Sequence, residues 1–289
     1  MITNKTLKRI KDFIKSLTPE AYEHVRNALL FCLRCVRSIY LNIFFRKPGF
    51  YSFHGFGLTF PIYLNPKNGL VDEEIRWKGS FEKQILQHIY NTLKPGDTYV
   101  DIGMNIGQHA LVAAQAIGTT GHVYGYEPIP FIAEQAKKSA DKNNLKNFYV
   151  HTYGLGKQEA VVPLYLEEGN IGASSVTSNL EDTHKILTID IKNADAELRK
   201  LGNISLIKID TEGQEPEILH TLAGLLSEKR PKVIFEYTPQ KYDTRGVNLV
   251  SFMHELGYSL LEIESGETIT DPVTWTKNYK KIQSNIFCF

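Results

Sequence analysis

The 289-residue sequence has few cysteines, no excess of either charge and no long uncharged apolar run. Its three cysteines, Cys32, Cys35 and Cys288, are too few and too odd in number for a disulfide scaffold, and they fit a reducing compartment. Thirty-three basic and 32 acidic side chains give a net charge of +1, which provides no general attraction for nucleic acid. The absence of internal repeats argues against solenoids and propellers. Because 42% of the residues are hydrophobic, we still expect a globular core.

The balanced total hides an uneven distribution of charge. Residues 1–47 hold ten basic and three acidic side chains, a charge of +7, and the rest of the chain carries −6. A helix is predicted over 21–45, because Pro19 suits a helix start and polar residues share one face: Arg26, Arg34, Arg37, Ser38 and Asn42. The arginines make this helix a poor membrane span, and no signal-peptide cleavage site follows it.

Three roles remain open for this basic helix. It packs on the main domain, forms a dimer with a second subunit, or lies in the plane of a membrane as a peripheral contact. Cys32 and Cys35 lie within it without a second pair of ligands nearby, so we expect two buried thiols and no metal site. We expect a cytoplasmic protein, with membrane association as an open alternative.

The sequence divides into an N-terminal basic extension (1–47), a connecting region (48–95) and a main domain (96–289). Alternating apolar residues over 50–66 predict a hairpin, and helical spacing over 80–94 predicts a helix that is capped by Ser80. From Asp97 onward, strands alternate with helices, which is typical of an α/β fold with a parallel sheet. The last two strands are expected to pair antiparallel, with no helix between them.

A glycine-rich turn follows the first strand of the main domain, in the order Asp101-x-Gly103-x-Asn105-x-Gly107. Glycines let the backbone turn sharply and approach a ligand closely. The dinucleotide fingerprint and the P-loop pattern are both absent. Glu127 ends the second strand, where a carboxylate accepts hydrogen bonds from ribose hydroxyls, and Asp101 is placed to take an ammonium group. These features predict a nucleoside site, with an adenosyl cofactor favoured over a nicotinamide one.

Acidic residues also follow the later strands. Lys208, Asp210 and Glu212 alternate along the fourth strand, and Glu236 ends the fifth. If those strands are neighbours, Asp210 and Glu236 meet at the carboxyl edge of the sheet, where open α/β sheets bind ligands. Glu212 has the alternative role of capping the next helix. No stacking motif for a flipped base follows the fourth strand, which argues against nucleic-acid methylation.

The sequence resembles the FkbM-type S-adenosylmethionine-dependent methyltransferases over about residues 80–289. The resemblance is carried by the glycine turn, by Tyr126-Glu127-Pro128, by Lys208-Ile-Asp210-Thr-Glu212-Gly213 and by Phe235-Glu236. It implies a Rossmann-like, seven-stranded class I methyltransferase sheet of mixed direction, with an antiparallel last strand and an N-terminal helical extension. It also implies O-methylation of a hydroxyl on a sugar, glycolipid or polyketide-like acceptor, either as a small molecule or linked to a glycan or lipid.

Roles follow for individual residues. The catalytic candidates are Asp210 as general base or acceptor anchor, Glu212 and Glu236 beside it, and Lys208 as their orienting cation. The candidates for binding S-adenosylmethionine are Glu82, Asp101, Gly103, Asn105, Gly107, Glu127, Pro128, Tyr153, Gly154 and Leu155. A divalent metal bridging Asp210 and Glu236 remains open, and the sequence shows no full ligand set.

An insert over about 154–190 is expected to cover the site, with Gly172-Ala-Ser-Ser175 as a candidate lid element. Two other functions stay open. The first is a non-catalytic nucleoside-binding module that is tethered by its basic helix, and the second is a nicotinamide-dependent oxidoreductase.

Overall fold

A computed structural model describes residues 18–167, 169–176, 185–241 and 248–289. Five of the ten basic residues of the extension and part of the predicted insert lie outside the described residues. The chain divides into two compact units, Met1–Arg46 and Lys47–Phe289.

The described part of the first unit is dominated by one long helix, α1 (Pro19–Phe44). Its stretch Tyr22–Phe44 has 23 residues and a hydropathy of 1.3, so it is long and apolar enough to cross a membrane by these two criteria alone. The expectation of buried thiols is wrong, because Cys32 and Cys35 are both exposed among other exposed side chains of this helix. Cys288 is buried.

The second unit begins with the predicted hairpin. Strands β1 (Gly49–Gly55) and β2 (Leu58–Leu64) pair antiparallel, and the rings of Phe53 and Phe60 stack with their centroids 4.4 Å apart. Helix α2 (Leu70–Lys78) follows, which the sequence did not predict.

Helix α3 (Lys83–Thr92) is the predicted helix of this region, but Ser80 does not cap it. Its N-cap residue is Glu82, which has a left-handed backbone with φ of 49°. The chain therefore makes a tight turn after Ser80 before the helix begins.

The main sheet has eight strands, seven of which match the predicted ones. The strands that carry the site are β3 (Thr98–Ile102), β4 (His122–Tyr126), β5 (Phe148–His151), β9 (Leu206–Ile209) and β10 (Lys232–Tyr237). These five strands are parallel and lie in the order β10-β9-β3-β4-β5. The carboxyl ends of β3, β4, β9 and β10 therefore meet at one edge, with β9 and β10 as neighbours.

The sheet is completed by β13 (Ser284–Cys288), β11 (Leu260–Glu262) and β12 (Glu267–Ile269) beyond β10. Strand β13 runs antiparallel to both β10 and β11, which confirms the expected mixed sheet with an antiparallel last strand. The expectation that no helix separates the last two strands is wrong, because β12 and helix α10 (Pro272–Asn278) lie between them. Asp271 begins that helix by accepting a hydrogen bond from the Thr274 amide.

Helices connect the parallel strands and cover the sheet. Helices α4 (Gln108–Ile117) and α5 (Pro130–Lys142) contact β3, β4 and β5. The sequence predicts one helix after β9, but the structure has two, α7 (Glu215–Thr221) and α8 (Ala223–Lys229). Helix α9 (Leu249–Glu255) follows β10. Apolar side chains of these three pack with those of β9 and β10 in one buried core.

The insert forms a second sheet of three strands between β5 and β9. Its strands are β6 (Gly154–Gly156), β7 (Ala160–Leu166) and β8 (Lys185–Asn193), in the order β6-β8-β7. A 3₁₀ turn (Ile171–Ala173) lies between β7 and β8, and helix α6 (Ala194–Arg199) follows β8.

Candidate functional site

A cavity of about 340 Å³ opens at the carboxyl edge of the parallel strands. Its wall contains the glycine turn after β3, the residues after β4, the tips of β9 and β10, and parts of the insert. Most of the predicted site residues line it: Glu82, Gly103, Asn105, Glu127, Pro128, Gly154, Leu155, Lys208, Asp210, Glu212 and Glu236.

The glycine turn is pressed against the tip of β9. Gly103 has φ of +78°, and a Cβ atom there would lie 1.8 Å from the backbone oxygen of Asp210. Both Gly103 and Met104 donate their backbone N–H groups to the Tyr126 carbonyl at 3.0 Å. A residue without a side chain is therefore needed for the chain to turn here between β9 and β4.

Glu127 is the acid that organises this turn. Its Oε2 accepts the Asn105 amide and its Oε1 accepts the Ile129 amide, each at 2.9 Å. Burial raises the pKa of Glu127 to about 7, although these two hydrogen bonds act in the opposite direction. The carboxylate keeps further lone pairs that can accept hydrogen bonds from a ligand's hydroxyl groups.

Asp101 and Gly107 belong to the same motif but do not line the cavity. Asp101 is fully buried behind the wall, opposite Lys208 in the strand register. A Cβ atom on Gly107 would lie 2.9 Å from that of Ala136, so this glycine serves the packing of α4 against α5.

The Asp101 carboxylate is short of partners. Its two oxygens receive no hydrogen bond of good geometry among the described residues, although the Tyr99 hydroxyl approaches them and Lys208 Nζ lies 3.9 Å from Oδ1. Burial raises the pKa of Asp101, and the Lys208 charge opposes that shift.

Lys208 and Asp210 form a buried ion pair at the tip of β9. Lys208 Nζ donates to Asp210 Oδ2 at 2.8 Å, and the lysine side chain is 2% exposed. Although burial acts to raise it, the Lys208 ammonium holds the pKa of Asp210 below its ordinary value. Burial disfavours the lysine charge, but Asp210 and Asp101 raise the pKa of Lys208 above its ordinary value. Asp210 is therefore ionised at neutral pH.

Glu236 has the opposite protonation preference at the neighbouring strand tip. Burial, followed by the charge of Asp210, raises the pKa of Glu236 to about 9. The site therefore has an ionised Asp210 beside a Glu236 that holds a proton at neutral pH. In such a pair the ionised group can act as a base and the protonated group as an acid.

Lys241, which the sequence analysis missed, lies close to both Glu212, in the loop after β9, and Glu236, near the end of β10. It ends the 3₁₀ turn Pro239–Lys241 after β10. Its Nζ forms an ion pair with Glu212 and lies 3.6 Å from Glu236 Oε2. Lys241 belongs to no sequence motif, and it reaches the site because the turn after β10 folds the chain back toward it.

The alternative cap role of Glu212 is wrong, because Gln214 is the N-cap residue of α7. The loop before α7 folds around Glu215 instead. Its carboxylate accepts hydrogen bonds from the Thr211 amide at 2.6 Å, the Thr211 hydroxyl at 2.9 Å and the Gly213 amide at 3.0 Å.

One oxygen each from Asp210, Glu215 and Glu236 lie within 4.8 Å of one another. Divalent cations prefer such oxygen ligands. Here, however, Asp210 is bonded to Lys208, Glu215 is used by its own loop, and Lys241 lies beside Glu236. The residues present therefore do not fit a cation that is held by three free carboxylates.

His109 is a second cavity residue that the sequence analysis missed. It lies in the first turn of α4, and its Nε2 is 3.3 Å from Glu82 Oε2. The neighbouring Gln108 fixes the chain before Glu82, since its side chain accepts the Phe81 amide at 2.8 Å and donates to the Phe81 carbonyl at 3.0 Å. The sequence feature that could have identified His109 is its position just after the glycine turn.

Described residues of the insert form part of the cavity wall, where the sequence predicts a cover. Gly172, Ala173 and Ser174 of the candidate lid element line the cavity, and a Cβ atom on Gly172 would be 2.8 Å from Asn105 Nδ2. The Ile171 amide donates to the Asn68 carbonyl at 2.9 Å, and the Ser175 hydroxyl donates to the Glu212 carbonyl at 3.3 Å. This cover is therefore tied both to the chain before α2 and to the loop after β9.

Tyr153 does not line the cavity, although it is one of the predicted residues for binding S-adenosylmethionine. Strand β5 ends at His151, and the Tyr153 hydroxyl donates to Glu197 Oε2 at 3.0 Å. The Lys192 ammonium lies 4.0 Å from the centre of its ring. The chain leaves the main sheet earlier than predicted, so only Gly154 and Leu155 reach the cavity.

Comparison with known proteins places the chain among methyltransferases. "Methyltransferase 1" of Beauveria bassiana (strain ARSEF 2860) is 25% identical over 207 residues, which cover 64% of this chain and 80% of that protein. An arsenite methyltransferase of Halobacterium salinarum is 27% identical over 106 residues, 34% of this chain and 26% of that protein. The crystal structure of methyltransferase FkbM from Methylobacillus flagellatus KT aligns with 71% of this chain and 50% of that one, at a TM-score of 0.43 and 15% identity.

The family model of the methyltransferase FkbM domain matches residues 101–260, more than half of the chain. The match begins in the glycine turn, includes Glu127, Asp210 and Glu236, and ends in β11. The chain belongs to the FkbM methyltransferase family.

Proposed function

We propose that this methyltransferase takes its methyl group from S-adenosylmethionine and transfers it to a hydroxyl oxygen of a sugar, glycolipid or polyketide-like acceptor. The observation that supports the proposal is a cavity whose two sides have different chemistry. The glycine turn and Glu127 offer a nucleoside site, and the Asp210, Glu236 and Lys241 group offers a site for a polar acceptor.

The residues on the nucleoside side fit the donor. S-adenosylmethionine supplies a methyl group on a positively charged sulfur. Glu127 accepts hydrogen bonds from the ribose hydroxyls, while its bonds to the Asn105 and Ile129 amides hold it in place. Leu155, Ile189 and Ile191 of the insert offer an apolar surface for the base. The Glu82 carboxylate, which lines the cavity, favours a positively charged ligand on the other side.

The residues on the acceptor side fit a hydroxyl group. The ionised Asp210 accepts a hydrogen bond from the hydroxyl. It takes the hydroxyl proton, which becomes strongly acidic, as the methyl carbon bonds to oxygen and its bond to sulfur breaks, so that neutral S-adenosylhomocysteine leaves. The protonated Glu236 and the Lys241 ammonium donate hydrogen bonds to neighbouring oxygens of the acceptor. Lys208 keeps Asp210 ionised and fixed in direction. Alignment of the two reactants provides the rest of the catalysis.

Cytoplasmic localisation is part of the same proposal. The support is the presence of three free cysteines, two of them exposed, since exposed thiols persist in a reducing compartment. The family match favours the methyltransferase over the nicotinamide oxidoreductase and the non-catalytic module.

Titration calorimetry with S-adenosylmethionine tests the donor. We expect Glu127→Gln to weaken binding by about tenfold or more, because an amide group cannot accept both backbone N–H groups and the ribose hydroxyls. The control Glu134→Gln alters an exposed acid of α5 whose side chain is 53% exposed, and it should bind as the wild type does. Unchanged binding in Glu127→Gln would contradict the assignment.

Transfer of a labelled methyl group to a panel of glycan, glycolipid and polyketide acceptors tests the reaction. With an accepted substrate, we expect Asp210→Asn to lower kcat by about a hundredfold or more while donor affinity is retained. Mass spectrometry of the product distinguishes an ether on oxygen from methylation of nitrogen or carbon. A product methylated elsewhere, or full turnover by Asp210→Asn, would overturn this part of the proposal.

A further inference from the structure

Helix α1 exposes a wide apolar surface that the methyltransferase site does not use. Its exposed side chains include Leu29 at 55%, Leu33 at 58%, Val36 at 54%, Ile39 at 60% and Ile43 at 52%. At about 100° per residue these side chains span a continuous sector of about 120°, which the exposed Cys35 extends to about 160°. Cys32 and Cys35 lie in the same sector and are exposed as well. We call this sector the apolar face of α1.

The arginines of α1 lie beside the apolar face rather than on it. Arg26, Arg34 and Arg37 share one side of the helix, and Arg46 and Lys47 follow its end. With the basic residues that precede the helix in the sequence, residues 1–47 carry a charge of +7, whereas the rest of the chain carries −6. Basic charge on one side and apolar side chains on the other are the features of helices that lie in the interface of an anionic bilayer.

We propose that α1 binds the surface of an anionic lipid bilayer, with its apolar face in the acyl region and its arginines among the headgroups. The length and hydropathy of Tyr22–Phe44 also allow a span. Arg34 and Arg37, however, lie near the middle of that stretch, where a spanning helix would bring both charges into the hydrocarbon core. Lying in the plane keeps both at the headgroups.

Two features favour lipid over a second copy of the chain. A two-stranded helical seam uses a narrow stripe of two positions in seven, whereas the apolar face is about 160° wide. Pairing of two copies would also bring two segments of charge +7 together. An anionic bilayer covers the whole face and attracts the same charges.

Vesicle flotation of the full chain is the first test, and it needs neither donor nor acceptor, so its result is independent of the proposed methyl transfer. We expect binding to phosphatidylglycerol-containing vesicles, weak binding to pure phosphatidylcholine vesicles, and a loss of binding at high salt. The double variant Leu29→Ser/Val36→Ser, on the apolar face, should lower the partition coefficient by about tenfold or more.

The matched control places the same change on the arginine side. Leu30 and Phe44 are 41% and 57% exposed and lie near Arg26 and Arg37 around the helix. Leu30→Ser/Phe44→Ser should therefore bind nearly as the wild type does. Equal losses in both double variants would indicate a spanning helix and overturn the in-plane arrangement, and absence of binding by the wild type would overturn the proposal.

A polarity-sensitive fluorophore tests the orientation. In a Cys35→Ser background, the exposed Cys32 on the apolar face is labelled, while the buried Cys288 is protected. Addition of anionic vesicles should shift its emission to the blue. The control carries the label at Ser38→Cys on the polar side, with Cys32 and Cys35 replaced by serine, and should not shift.

The same label distinguishes lipid from a second copy. A blue-shifted Cys32 label without vesicles, together with a dimer in analytical ultracentrifugation, would overturn the proposal in favour of self-association. A monomer whose label shifts only with anionic vesicles supports it.

Discussion

At the scale of single residues, Glu236 makes stability depend on pH. Burial and Asp210 raise its pKa from 4.5 to about 9 in the folded protein. Between these two values the folded state holds a proton that the unfolded state has released, so the free energy of unfolding falls as the pH rises.

Glu236→Gln keeps the shape of the side chain and cannot ionise. We therefore expect the difference in Tm, variant minus wild type, to become more positive by about 2 °C or more between about pH 5 and about pH 8. Scanning calorimetry at several pH values measures it, with Glu134→Gln as the exposed control. A difference that is constant with pH would show that Glu236 is ionised in the folded protein.

Lys208 is the second residue whose replacement has a defined consequence. Its ammonium lies 2.8 Å from Asp210 Oδ2 and 3.9 Å from Asp101 Oδ1; Lys208 and Asp101 are buried, and the Asp210 side chain is 24% exposed. Lys208→Met leaves the buried Asp101 and the partly exposed Asp210 without this cation, so we expect a loss of about 3–5 kcal/mol in the free energy of unfolding, measured by urea denaturation.

The double variant Lys208→Met/Asp210→Asn provides the control, because it removes a negative charge together with the positive one. It should recover part of the lost stability. Wild-type stability of Lys208→Met would mean that another group neutralises the acids.

At the scale of elements, the glycine turn after β3 sets the distance between the nucleoside side and the acceptor side. Gly103→Ala would place a methyl group 1.8 Å from the Asp210 carbonyl oxygen, which forces the tips of β3 and β9 apart. Gly266 is a matched control, since its φ of +73° is similar and nothing lies within 4 Å of its Cβ position.

We expect Gly266→Ala to lower stability by about 1 kcal/mol through backbone strain alone. Gly103→Ala should lower it by more and should also weaken S-adenosylmethionine binding by about tenfold or more. Thermal unfolding and calorimetry measure the two effects. Equal effects of the two substitutions would mean that the contact with the Asp210 carbonyl is relaxed at little cost.

Four strands of the site could be predicted because β3, β4, β9 and β10 are short apolar runs with a glycine or an acid at or directly after their ends. Their order could not be read from the runs themselves. The sequence places Asp210 near Glu236 only if their strands are neighbours, and the pairing of β9 and β10 meets that condition. Helix α2 and strand β12 were missed because both are short and mixed in polarity, so that tertiary contacts determine them.

The finer placement of side chains was not predictable. Asp101 was expected in the cavity, but strand register sets it opposite Lys208 and behind the wall. Tyr153 was expected to bind S-adenosylmethionine, but β5 ends at His151 and the chain then enters the second sheet. Lys241 reaches the acids only through a turn whose path depends on the folded strand before it.

At the scale of the whole molecule, the proposed membrane helix and the residues of the cavity belong to different units of the described chain. All of the residues that line the cavity lie between Leu70 and Gln283, within the second unit. Every strand of the described chain also lies in that unit. The acidic excess of the residues after Lys47 opposes binding of this unit to an anionic surface, so the proposed membrane attachment would depend on the first unit.

A protein of residues 47–289 should therefore fold, bind S-adenosylmethionine within about threefold of the full chain's affinity, and fail to float with anionic vesicles. Calorimetry and flotation on the two proteins in parallel measure these outcomes, and circular dichroism establishes that the shorter protein is folded. If the shorter protein is folded but binds the donor much more weakly, the first unit contributes to the site. If it still floats with the vesicles, the membrane contact lies in the catalytic unit.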